Sequence, residues 1–196
     1  LFQVGEFKWD IIIVDNRNGY IRIHGSQSVS DGKNREYALY KNKKNEFILA
    51  KSTYDSWPPG YTDVSIIFLK WKDGEFIDIT TKILPAITFR DFLDERFQGQ
   101  YRQRNDLLNS LHVCLYSLAR TGTNVKVNSS FLSANLTLLS INQFRSTTDK
   151  NKFEKANQLI QELEGKTKYS AIVLEWDGIK ERFYLKNKIL KWNFIF

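Results

Sequence analysis

The chain has 196 residues, enough for one large domain or two small ones, and its 42% hydrophobic and 14% aromatic content excludes an intrinsically disordered polypeptide. Its single cysteine, Cys114, excludes an internal disulfide, and no stretch approaches the ~20 apolar residues of a membrane-spanning helix. The net charge of +7 is uneven, with 14 basic and 14 acidic side chains in residues 1–98 and 15 against 8 in residues 99–196.

That basic excess is spread as single residues and alternating pairs. It argues against a nucleic-acid footprint and leaves a basic-surface binder of anionic polymer as an alternative. The chain contains no methionine. This is what a processed product would show, for example after removal of a signal peptide. Asn128 and Asn135 begin Asn-x-Ser/Thr tripeptides, which matter only on a glycosylating secretory route.

In chain order, Phe7 to Val14 is a β-branched apolar run that predicts a buried strand, and Asn18-Gly19 supplies the positive φ of a tight turn. Tyr20 to His24 alternates, with Ile21 and Ile23 on one face. Glu36–Lys41 and Glu46–Ala50 form a second predicted hairpin around Asn42 to Asn45. The segment Ser52 to Thr62 contains Pro58, Pro59 and Gly60, which predict a loop that cannot be an inner strand. It presents Tyr54, Trp57 and Tyr61 as candidate ligand contacts, because aromatics on a stiff loop offer apolar area at small entropic cost.

Val64 to Trp71, Lys72-Asp73-Gly74 and Glu75 to Ile79 read as a third hairpin, echoed by Ser170 to Trp176, Asp177-Gly178 and Ile179 to Leu185. Ser65, Ile67, Leu69 and Trp71 match Ser170, Ile172, Leu174 and Trp176 at alternate positions, and Lys-Ile-Leu follows each copy. The pattern predicts an internal repeat. Thr88 to Phe97 predicts a helix with Thr88 as cap and Asp91 three residues on, and Phe89, Phe92, Leu93 and Phe97 on one face. Leu111–Leu118, Asn124–Val127 and Leu136–Ile141 predict strands. A second amphipathic helix is expected from Asp149 or Lys150 to Glu164, closed by Gly165.

The expected fold is therefore α+β: antiparallel β-meanders with two amphipathic helices, arranged as two related halves (1–98 and 99–196) or as one continuous domain.

Several segments resemble a loose group of uncharacterised exported bacterial proteins. They are Glu36 to Tyr40 with Phe47 to Ala50, the strand into Trp71, Ile77 to Thr80 with Ile83 to Pro85, Thr121 to Thr123, and Leu174 to Trp176. The resemblance implies a β-rich build and an exported location, periplasmic or at the cell surface. It implies no activity and supplies no catalytic residues.

Catalytic patterns compare poorly with simpler explanations. Gly165-Lys166-Thr167 lacks the earlier glycine of a phosphate loop and follows a helix instead of opening one. His112 and Cys114 share one strand face and could pair as base and nucleophile, but a core thiol beside a surface or satisfied histidine is the favoured explanation, since free cysteine is among the most buried residue types. Two histidines and no Cys-x-x-Cys spacing predict no metal site and no cofactor. Asp15 to Gly19 is explained as a turn without calcium, and Asp91, Asp94 and Glu95 as acids favoured early in a helix. The expected function is non-catalytic binding or structural interaction at the cell envelope, with a protein or glycan partner. A hydrolase with its site between the halves is the alternative.

Overall fold

The computed structural model describes residues 2–4, 7–26, 32–57, 60–101, 112–131, 154–155, 158, 161–163 and 165–191. Two antiparallel sheets dominate. The first is a seven-stranded meander of β1 (Phe2–Val4), β2 (Phe7–Asp15), β3 (Tyr20–Ser26), β4 (Gly32–Lys41), β5 (Phe47–Trp57), β6 (Gly60–Lys72) and β7 (Glu75–Asp78), paired in chain order. The second has the order β11-β10-β9-β8, from β8 (His112–Leu118), β9 (Asn124–Phe131), β10 (Tyr169–Asp177) and β11 (Arg182–Leu190). The α+β class with two groups of antiparallel strands matches the two halves of the chain.

Turn chemistry sets the first hairpin as expected. Gly19 has φ of 62°, and Asp15 accepts the Asn18 backbone N–H at 3.1 Å, so this segment is a turn. Between the sheets, α1 (Thr80–Ile83) starts where Asp78 accepts both the backbone N–H and the hydroxyl of Thr80. The predicted helix from Thr88 to Phe97 is instead two 3₁₀ turns, Phe89–Phe92 and Glu95–Phe97, followed by α2 (Gln98–Tyr101). The cap is as expected, since the Asp91 carboxylate accepts from the Thr88 N–H and hydroxyl. Leu93 breaks the helix because it bridges Thr167, while the Asp94 N–H donates to the Lys166 carbonyl and the Lys168 N–H to that of Phe92. Long-range backbone bonds thus replace the local helical ones.

Two further expectations change. The segment from Ser52 to Thr62 is mostly strand: β5 runs to Trp57 and β6 starts at Gly60, with those two residues paired. The nine residues flanking the proline pair, 52–57 and 60–62, therefore belong to the strands. Of the second predicted helix, Glu154, Lys155, Gln158 and 161–163 are helical, and the rest lies outside the described residues, as does the predicted strand Leu136–Ile141.

One core joins the two sheets. Ile48, Ala50 and Phe68 of the first sheet and Val125, Val127, Ile172 and Leu174 of the second are fully buried in the same cluster. At its centre Tyr40, Phe68, Trp176 and Phe183 meet with ring centroids 5.0 to 6.1 Å apart. Each such buried side chain contributes roughly 2–3 kcal/mol. A smaller cluster of Phe89, Leu93, Tyr101 and Leu163 lies beside it.

The register sorts the first sheet into two faces. Tyr20, Ala38, Ala50 and Phe68 form one cross-strand row on the inner face, and Arg22, Glu36, Ser52 and Ile66 form the next. This second row contains polar side chains because the edge strand β8 of the other sheet lies across it. The buried Glu36 carboxylate accepts the Leu118 N–H at 2.8 Å, and the Ser52 hydroxyl donates to the Tyr116 carbonyl at 2.6 Å. Inward polar side chains thus satisfy edge groups of β8 that none of the described strands pairs.

Candidate functional site

Where β8 crosses the first sheet, a cleft of about 420 Å³ opens, lined by Val64, Ile87, Thr88, His112, Val113, Cys114 and Tyr116. Strand alternation puts His112, Cys114 and Tyr116 on the same face of β8. Val64 comes from β6, and Ile87 and Thr88 come from the segment that enters the first 3₁₀ turn. The volume lies in the range of small-ligand sites.

The chemistry of the cleft is neutral. His112 packs its ring against Phe89 and Phe92, with centroids 5.4 and 5.9 Å away, and its Nε2 lies 3.0 Å from the Ser129 hydroxyl. Burial dominates its titration and lowers the imidazole to about 4, only partly opposed by Asp91. The Cys114 thiol is directed at the Ile87 carbonyl, 3.8 Å away, and burial pushes it up to about 11. Burial likewise raises the Tyr116 phenol. At neutral pH all three groups are uncharged. A nucleophilic cysteine needs the opposite arrangement, a thiolate held by a cationic neighbour.

The acidic residues read from sequence do not converge here as a catalytic set. Asp91 caps its turn. Asp94 receives the Arg96 guanidinium, which holds it near 2, and Glu95 accepts from Lys168 and Tyr169, which hold it near 2 as well. Lys166 pairs with Glu162, and among the described residues no group of three metal-ligating side chains is present.

Of the three aromatics proposed from sequence, Tyr54 stands on the inner face, directly opposite Asn34 on β4 and Val64 on β6. Trp57 closes β5 and Tyr61 pairs through its backbone with Ser56; their side chains lie outside the described set. The hairpin therefore brings Tyr54 beside a residue of the cleft wall. Sequence reading singled out His112 and Cys114 but missed Tyr116, although its place two residues further along the same alternation was available. Val64, Ile87 and Thr88 carried no local signal of a cleft, because only tertiary packing puts them opposite β8.

No protein family matches the sequence, and no curated protein matches it as a relative. The fold is similar to a solved domain of an uncharacterized protein from Porphyromonas gingivalis W83, with a TM-score of 0.50 at 12% identity, over 86% of this chain and 71% of that one. The likeness is one of fold. It agrees with the resemblance to β-rich bacterial proteins and carries no activity.

Proposed function

We propose that the protein is a non-catalytic binding protein of the cell envelope, and that its ligand places an uncharged, partly apolar group in the β8 cleft. The supporting observation is that the cleft's reactive side chains are already engaged: His112 by Ser129 and two phenylalanines, Cys114 by the Ile87 carbonyl. Val64, Ile87 and Val113 supply apolar wall, and Thr88 and Tyr116 supply hydroxyls. Such a lining suits a neutral glycan or peptide group and repels an isolated charge. The hairpin that contributes Val64 also carries Tyr54, Trp57 and Tyr61, the proposed further ligand contacts. The envelope location rests on the resemblance to exported proteins.

One observation favours the hydrolase reading: the same cleft holds both His112 and Cys114. Alkylation of Cys114 by iodoacetamide across pH separates the two. In a binding cleft the thiol ionises only near pH 11 and, at pH 7, reacts on the order of 100-fold more slowly than a free cysteine. Neutral oligosaccharides or peptide amides that occupy the cleft slow it further. Rapid alkylation with a midpoint below about pH 8 would instead mark an activated nucleophile and sink the binding reading.

A further inference from the structure

We propose that the outer face of the seven-stranded sheet, remote in register from the cleft wall, docks a protein partner whose apolar side chains are interspersed with carboxylates. Val14, Ile21, Leu39, Phe47, Trp71 and Phe76 all stand on this face and are 40% to 57% exposed. The register makes them contiguous. Val14 is opposite Ile21, the row Leu39, Leu49, Leu69 crosses three strands, and Trp71 faces Phe76 with ring centroids 4.9 Å apart. Isolated apolar side chains are normal on any surface, but a continuous apolar tract over six strands marks an interaction site. The opposite face already supplies the core shared with the second sheet.

The charges on this face select the occupant. Lys51 stands between Tyr37 and Ile67 in the cross-strand row, and Lys41 lies over the Phe47 ring, 4.9 Å from its centroid. Among the acids of this face whose side chains are described, Asp55 is engaged by Arg35 and Asp78 by Thr80. An apolar, cationic face is complemented by an apolar, anionic one. A second copy docked about a two-fold axis would set these lysines against each other. A lipid surface fits less well, because interfacial anchors insert roughly 5–10 Å and these side chains are half shielded by their sheet neighbours.

The test uses the full chain and two synthetic amphipathic peptides with the same leucine stripe, one with glutamate and one with lysine at every polar position. Fluorescence anisotropy of the labelled peptides is expected to show saturable binding of the glutamate peptide and at least about tenfold weaker binding of the lysine peptide. Trp71→Ser combined with Leu39→Ser is expected to weaken the glutamate peptide by about tenfold or more, and Lys41→Glu with Lys51→Glu to exchange the preference. The melting curve of each variant checks that it folds. Equal binding of both peptides, or binding indifferent to these four substitutions, overturns the proposal. So does self-association removed by Trp71→Ser, which assigns the face to a second copy. Tighter retention on phosphatidylglycerol vesicles than on the glutamate peptide assigns it to lipid and overturns the proposal too. Alkylating Cys114 leaves peptide binding unchanged, so this surface and the cleft fail or stand separately.

Discussion

Two hairpins with nearly the same residue pattern have opposite fates in this protein. In β6 and β7, Trp71 is 57% exposed on the outer face, in edge-to-face contact with Phe76. In β10 and β11, Trp176 is 7% exposed at the centre of the core, its indole N–H donating to the Lys41 carbonyl at 2.8 Å. The echoed residues share one face in both strands, but that face is turned away from the core in β6 and toward it in β10. Their turns differ as well. Asp73-Gly74 is a two-residue turn with Gly74 at φ of 93°, whereas Asp177 pairs with Arg182 across four residues and Glu181 takes the positive φ of 48°. Local likeness specifies a hairpin. Which face is buried is decided by what crosses it.

The largest expected effect follows from Trp176→Ala. It removes an indole that touches Tyr40 and Phe183 and orphans the Lys41 carbonyl, so chemical denaturation should show a loss of about 3–5 kcal/mol. A loss below about 1 kcal/mol would mean that the second hairpin is as peripheral as the first.

Acid should loosen the second sheet without altering either tryptophan. His112 on β8 is held neutral in the fold at about 4, against about 6.5 when unfolded. A depressed histidine stabilises above the unfolded value. That stability falls as pH drops from about 6.5 to about 4, by up to roughly 3 kcal/mol, because only the unfolded chain gains the proton in that window. Unfolding curves of wild type and His112→Phe between pH 7 and pH 4 check this. The variant keeps the aromatic packing and should lose most of the slope, and an equal slope in both would show that other groups govern it.

The two Asp-Gly glycines sharpen the contrast further. A Cβ on Gly178 would lie 2.9 Å from the Lys41 carbonyl oxygen, at the place where the Lys43 N–H donates to the Gly178 carbonyl and the two sheets meet. Gly178→Ala should therefore cost about 2 kcal/mol through crowding of backbone against backbone. Gly74 has open space around its missing side chain but a positive φ. Gly74→Ala should cost about 1 kcal/mol, and Gly74→Asn less, since asparagine tolerates that conformation. If asparagine rescues Gly178 as well, space is not what selects glycine there.

These contrasts show how much was legible from sequence. Alternation and turn residues revealed the hairpins, because they are local: Asn18-Gly19 and the strands on either side needed no distant partner. The buried face of β6 was ambiguous because both its faces are apolar, Ile66 and Phe68 on one and Ile67, Leu69 and Trp71 on the other. Only the edge strand β8, bonded to Glu36 and Ser52, determines the choice. The break at Leu93 likewise depends on Thr167, more than seventy positions away. In the cleft, His112 and Cys114 were visible as a pair on one strand. Their neutral chemistry was not, since it comes from burial by Phe89, Phe92 and Ile87, whose approach no spacing encodes.

The smallest effect is the most informative for the outer face. Trp71→Ala removes a half-exposed ring whose main partner is Phe76, so its stability change should stay near 0.5–1 kcal/mol, the size of an exposed cross-strand aromatic pair. A residue that large, half exposed and contributing little to folding is accounted for by something other than the core. A loss near that of Trp176→Ala would show instead that the outer face is covered and structural, and the contrast between the hairpins would reduce to one of exposure alone. A small loss together with weakened binding of the glutamate peptide separates the roles: one tryptophan holds the two sheets together, and the other is kept for a partner.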